Sequence, residues 1–346
     1  MGRSRRRIKL TSTNREGGNR TSALAVLLFS QQPPAIVPTD TPERKRPAPL
    51  ELLAPARNAD IGRDAIDHGA DAVYIGADRF GARAAAANSV NDIARLCDYA
   101  HPFGARVYAT VNTIIYDSEL RQVERLVADL YHAGVDALIV QDLALLRLDL
   151  PPIALHASTQ CDLRTPQKAR FFDRLGFSQL VLARELSLNE IADIAAATTL
   201  PLEAFVHGAL CVCYSGRCQA SQALMQRSAN RGECAQICRH RFDLLDADTG
   251  RTIMADKHLL SLRDLNQSQR LDRLAHAGVR SFKIEGRLKD SAYVRNITAY
   301  YRQALDRLIG AHPDLYSRSS CGSSTLSFRP DPDKAFNRTN TNDYTR

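Results

Sequence analysis

The chain has 346 residues, 44% of them hydrophobic and 24% charged, which is enough to bury one large core and argues against a wholly disordered protein. No apolar run approaches the roughly 18 residues needed to span a bilayer. The net charge of +8 would suit a nucleic-acid partner, yet residues 1–46 carry seven of those charges, residues 311–346 carry one, and 47–310 is neutral. Any RNA-binding surface on the central region must therefore come from local clustering.

The first segment sets Arg3, Arg5, Arg6, Arg7, Lys9, Arg15 and Arg20 before an apolar run at 23–29, which imitates a secretory signal. Its basic region is too long, and no small-x-small cleavage site follows. With the Pro-rich stretch 33–49, residues 1–47 read as a flexible extension of a cytoplasmic protein. A basic RNA-binding arm and a targeting peptide are the alternatives.

From residue 51 onward, short β-rich apolar runs alternate with helical patterns. Strands are predicted at 52–54, 72–76, 105–111, 137–140, 153–157, 179–183, 202–206 and 282–285. Eight runs, most separated by a helix, predict an α/β fold of the (β/α)8 TIM-like barrel type over 48–310 rather than an open doubly wound sheet. A glycine recurs just before several strands, as in Gly69, Gly134 and Gly278. That is the residue suited to closing a helix in the left-handed conformation, so these positions argue fold and not function.

Catalysis in such a barrel sits where strands end. Those ends are polar here: Asn112, then His156 and Gln160, then Arg184, His207, and finally Lys283, Glu285, Arg287 and Lys289. Together they predict a pocket in which Glu203, His207 and Glu285 are candidate catalytic groups. Asn112, His156, Gln160, Arg184, Lys283 and Arg287 are candidate ligands of a small anion, with Arg287 the leading clamp because a guanidinium binds carboxylate through two parallel hydrogen bonds.

Five of the eight cysteines fall within 28 residues, Cys211 to Cys238. A disulfide framework does not suit a chain this large without a convincing export signal. The spacing Cys211-x6-Cys218-x15-Cys234-x3-Cys238 supplies four thiolates for a structural zinc or an iron–sulfur cluster. Only the second pair is tight, and Gly216 and Gly232 let the backbone fold round a bulky group, which favours [4Fe–4S]. Cys213 is left as a non-ligand and Cys97 as an ordinary core cysteine, while Cys161 stays open, a role near the pocket being its second reading. Arg227, Arg231, Arg239 and Arg241 form a basic stretch beside the thiols that could carry RNA phosphates. No H-E-x-x-H or G-x-S-x-G motif is present, and Ser215-Gly216 lacks a strand-to-helix elbow.

The run from Glu203 through Phe205, Gly208, Cys211, Gly216 and Cys218 to Ser221 resembles the signature of the peptidase U32 family. The blocks 227–239, 256–264 and 281–290 resemble one branch of it, linked to C5-hydroxylation of a cytidine in 23S ribosomal RNA. The resemblance implies a barrel for oxygen-independent hydroxylation, a [4Fe–4S] cluster on Cys211, Cys218, Cys234 and Cys238, a small dicarboxylate, prephenate, as co-substrate at the mouth and ribosomal RNA as partner. Some relatives take their fourth cysteine from further downstream, where this chain offers Asn266 and no cysteine, which leaves Cys238 or, second, Cys213. The resemblance runs to the C-terminus, where 311–346 resembles the opening of a further domain cut short. A U32-type peptidase and a non-catalytic iron–sulfur scaffold are the competing functions.

Overall fold

The computed structural model describes residues 46–82 and 88–342; the expected N-terminal extension lies outside the described residues. The chain runs β1 (Ala48–Ala56), α1 (Ala59–Asp67), β2 (Ala72–Gly76), α2 (Val90–Ala100), β3 (Arg106–Val111), α3 (Leu120–His132) and β4 (Ala137–Val140). A short 3-10 helix, Leu143–Arg147, then leads to β5 (Ala154–Ala157), α4 (Pro166–Arg174), β6 (Gln179–Val181), α5 (Leu188–Ala195) and β7 (Leu202–Ala209). An insertion follows, holding α6 (Ala220–Met225), the hairpin β8 (Phe242–Leu245) and β9 (Thr252–Lys257), and β10 (Asp264–Asn266). The chain ends with α7 (Leu271–His276), β11 (Val279–Ile284), α8 (Ser291–Ala311), β12 (Tyr316–Arg318) and β13 (Asn340–Thr341).

Strands β1 to β7 pair in order, all parallel, and β11 pairs in parallel with both β7 and β1. The sheet therefore closes on itself as an eight-stranded parallel α/β barrel, as the sequence predicts. Alternation along each strand sorts the core into two shells. Leu50, Leu52 and Ala54 of β1, Val73 and Ile75 of β2, and Val107 and Ala109 of β3 face the helices. Leu53, Tyr74, Tyr108, Ile139, Val181 and Phe205 face inward.

Helix entrances are capped by the residues expected for that task. Asn58, Ser89, Thr165, Ser187 and Asp290 each accept a backbone N–H of the first turn, and Ser187 with Glu190 forms a full capping box. Residues 311–342, expected to open a separate domain, pack on the barrel: β12 extends β1, and β13 extends β10, which itself pairs antiparallel with the end of β7. Among the described residues no helix is long and apolar enough to cross a membrane.

Asp71, fully buried at the N-terminal end of the barrel, ties three of these pieces together. Its Oδ2 accepts from Leu52 N at 2.8 Å and from Arg302 Nη1 of α8 at 2.9 Å, and its Oδ1 accepts from Ser320 N at 3.2 Å. Removing one partner of a buried ion pair leaves the other charge uncompensated. Asp71→Ala should lower the unfolding free energy by about 3 kcal/mol or more, read from urea denaturation of the parent and variant.

Candidate active site at the barrel mouth

The lumen is polar where most barrels are filled with aliphatic side chains. At its lower end Glu51 accepts from Tyr108 OH at 2.6 Å and Ser281 Oγ at 2.7 Å, with Arg106 at 3.2 Å. Burial raises the Glu51 carboxyl above its ordinary range, against the pull of Arg106. One layer higher, Lys283 Nζ donates to Glu203 Oε1 at 2.7 Å and Gln179 Nε2 donates to Glu203 Oε2 at 2.6 Å. Both oxygens of Glu203 are thus held by inward-facing residues of β6 and β11, and the side chain is fully buried.

Above this layer the lumen opens into a cavity of about 820 Å³ at the C-terminal ends of the strands. Seven of its lining side chains are Arg or Lys and two are Glu. Arg287 donates through Nη1 to Thr110 Oγ1 at 2.7 Å, and its guanidinium lies 5.8 Å from the Tyr74 ring. Lys283 Nζ sits 4.3 Å from the centre of the same ring and 5.4 Å from Phe205. Arg184 lies over Phe205 at 4.1 Å and pairs with Glu285 at 2.7 Å. Two aromatic faces therefore carry three cations, an arrangement that tolerates desolvation and favours an anionic guest.

The Cys-rich insertion forms the roof. Gly216 and Gly232 both have positive φ, and a Cβ on Gly216 would stand 2.0 Å from Gln160 O, one on Gly232 2.6 Å from Gly81 O. These glycines let the insertion lie directly on the loops after β5 and β2. Ser215 locks the same seam by donating Oγ to Glu185 Oε2 at 3.1 Å. Cys211, Cys213, Cys218, Cys234 and Cys238 all line the cavity. Cys213 lies beside Cys218 and is pushed up to about 11 by burial and by the neighbouring thiols Cys218 and Cys211. Burial also raises Cys238, with Arg239 opposing and Cys211, Cys234 and Cys218 adding to the rise. Among the described residues no three His, Cys, Asp or Glu side chains converge as a single-ion site requires.

Of the sequence-predicted residues, Asn112, Gln160, Arg184, Lys283, Glu285 and Arg287 meet in this cavity. Asn112 is oriented by Ser158, to which its Nδ2 donates at 3.2 Å, and by Ala82 N, which donates to its Oδ1 at 2.9 Å. Glu203 supports the floor from beneath. His156 is buried lower in the lumen, edge-on to Tyr108 at 4.7 Å, and burial with Lys283 and Arg106 nearby lowers it to about 3. It stays neutral and does not line the cavity. His207 turns away: it packs on Tyr301 and Tyr293 of α8, with Nδ1 3.3 Å from Tyr301 OH. The pairing of β7 with β11 shifts register beside His207, and β10 joins there, so the alternation along β7 does not carry it into the lumen.

The four arginines proposed for RNA separate. Arg227 and Arg239 line the cavity, but Arg239 is spent on the insertion, donating to Ser261 Oγ at 2.9 Å and Leu262 O at 3.0 Å. Arg231 makes a bidentate pair with Glu119, both contacts 2.7 Å, and stacks on Tyr116. Arg241 pairs with Asp256. Cys161 does not line the cavity: its thiol lies against Val140 O and Gln141 O, pushed up to about 12 by burial; Cys97 is buried in α2, raised likewise to about 12. Sequence reasoning missed Arg338, which reaches the cavity from the C-terminal segment while pairing with Asp264 at 3.3 Å. It also missed Tyr74 and Phe205, whose inward parity was a usable signal.

The Peptidase family U32 model matches residues 57–346. The chain is 56% identical to the 23S rRNA 5-hydroxycytidine C2501 synthase of Escherichia coli K12 over 85% of its own length and 45% of that protein's. It is 34% identical to tRNA hydroxylation protein P1 of Bacillus subtilis 168, covering 74% and 63%. It is 32% identical to a collagenase of Porphyromonas gingivalis, covering 74% and 66%. The chain thus spans about half to two thirds of the length of these relatives. A barrel whose seventh strand runs into a thiol-bearing roof, matched by the family model from Arg57 onward, places this chain in the peptidase U32 family.

Proposed function

We propose that this chain is the barrel of an RNA base hydroxylase that acts at C5 of a cytidine in 23S ribosomal RNA, with prephenate as co-substrate and a [4Fe–4S] cluster as cofactor. The observation that carries this reading is the 56% identity to a 23S rRNA 5-hydroxycytidine synthase over 85% of the chain, combined with a cavity rich in cations. A dicarboxylate and RNA phosphates are both anions, so one electropositive mouth serves both.

The thiols suit a cluster in number and placement. Cys238 stands among Cys211, Cys218 and Cys234 on one cavity wall. A four-iron cluster takes each thiolate on a separate iron, so its ligands surround it rather than converge on a point. When bound it would supply electron transfer or hold the roof rigid. The chain's own residues do the rest. Arg287 and Arg184 bind and orient carboxylates, and the Lys283–Glu203 pair holds a proton at the floor. The roof, seated through Gly216 and Gly232, narrows the mouth and lowers the dielectric around the charges inside. RNA enters on the Arg227 side of the cavity.

The peptidase alternative lacks its parts in this cavity. Among the described lining residues there is no histidine to act as base, and the Ser215 hydroxyl is bonded to Glu185.

Three measurements test the proposal. Ribosomal nucleosides from a strain deleted for this gene should lack 5-hydroxycytidine by mass spectrometry; its retention would favour a scaffold or peptidase role. Anaerobically purified Cys238→Ser protein should lose most of its iron and sulfide while Cys213→Ser keeps them, and the reverse pattern would move the fourth ligand to Cys213. Arg287→Lys should bind prephenate roughly tenfold more weakly by calorimetry, the loss of about 1.5 kcal/mol expected when a charge-assisted bidentate contact becomes a point charge.

A further inference from the structure

We infer that Lys283 is a nucleophilic amine that captures an α-keto acid as an imine on the floor of the cavity. This rests on the reading of the mouth as a carboxylate site, and it changes the part Lys283 plays there from clamp to covalent partner.

The placement is specific. Lys283 comes from the end of β11, one layer below the mouth, and is 4% exposed, so its reach is limited to the cavity it lines. Its Nζ faces the Tyr74 and Phe205 rings on the cavity side and Glu203 Oε1, 2.7 Å away, on the lumen side. Arg287 shares the Tyr74 ring with it. An α-keto acid carries its carbonyl carbon one bond from its carboxylate, so its recognition requires a guanidinium and an amine side by side, and this floor offers that pair. Burial and the neighbouring Arg287 charge both lower the lysine from its ordinary range, while Glu203 opposes them. Desolvation beside another cation is one established means of making a lysine nucleophilic.

The step balances without any outside oxidant. The ammonium passes one proton to Glu203, freeing the lone pair. The amine nitrogen attacks the ketone carbon, a C–N bond forms, and the carbonyl π electrons move to oxygen, which takes up a proton released from nitrogen. The C–O bond of this carbinolamine then breaks, and the hydroxyl takes the proton held by Glu203 and leaves as water. The product is a protonated imine with the Glu203 carboxylate as counter-ion. One ammonium and one ketone become one iminium and one water, with the charge conserved. Glu203 acts as the proton shuttle, which explains why a fully buried carboxylate has one oxygen on Lys283 and the other fixed by Gln179.

The full-length protein is incubated anaerobically with prephenate, and separately with phenylpyruvate or phenyllactate, in the presence of cyanoborohydride, and analysed by intact mass and peptide mapping. Both keto acids should add their own mass less one oxygen, on the peptide bearing Lys283, and phenyllactate, which has no ketone, should add nothing. Lys289→Arg should keep the adduct, since Lys289 lies at the rim over Tyr293 and Phe336. Lys283→Arg should abolish it, and Glu203→Gln should slow its formation at least tenfold. The mapping in the parent protein stands even if a floor variant fails to fold. Binding of prephenate by calorimetry without any adduct, or an adduct on a different lysine, would overturn covalent capture and leave the carboxylate site intact. An adduct with phenylpyruvate but no binding of prephenate would support Lys283 as the nucleophile and overturn prephenate as the co-substrate. No binding of either keto acid would overturn both.

Discussion

The buried pair Lys283–Glu203 is the constraint on which the site depends. Two opposite charges placed inside a closed barrel must satisfy each other, because neither can be hydrated there. They do so at 2.7 Å, and Gln179 satisfies the remaining carboxylate oxygen. An aliphatic pair of similar volume would serve stability as well or better. What an ion pair adds is position: it holds an amine directly beneath a cavity whose other walls are arginine and aromatic side chains. Tyr74 and Phe205 complete the arrangement, since their faces accept the cations that water no longer surrounds.

The roof follows from the same closure. The barrel leaves its C-terminal face open, and the insertion after β7 covers it by lying on the loops that follow β2 and β5. Backbone must approach backbone at Gly216 and Gly232, and at those two points any Cβ would collide with a carbonyl oxygen. The thiols are carried over the mouth by this contact, so they and the cationic side chains face one cavity. The barrel's opposite end is closed by α8 and β12 through Asp71 and Arg302, which separates the part of the molecule that holds the fold from the part that faces the guest.

Much of this was legible from residue order. The eight barrel strands lie within a few residues of their predicted positions, because a short β-rich apolar run between helical patterns is a local property of each strand. Lys283, Glu285 and Arg287, named as polar residues at the end of the eighth strand, line the cavity. The same reading does not hold at His207, where the register shift opposite Lys283 and Ile284 and the added strand β10 break the alternation. The hairpin β8–β9 went unpredicted because its residues are mostly exposed on both faces, leaving no amphipathic pattern to read. Residues 311–342 resemble the opening of a further domain, and nothing in their polar composition signals the strands they add to β1 and β10.

The sequence by itself determined the fold class, the concentration of thiols and the basic character of the strand ends, all of which follow from local periodicity and composition. Only the tertiary structure decided which of those groups work together. Arg231, Arg239 and Arg241 stand in a single basic stretch, yet Glu119, the carbonyl of Leu262 and Asp256 each claim one of them. Arg338, far off in the chain, arrives at the cavity instead. Which partner a charged group finds depends on contacts between residues far apart in the chain, as in Arg231 and Ile114, 117 positions apart. Pairing of that kind is set by how the strands close and where the roof lands, and no local pattern encodes it.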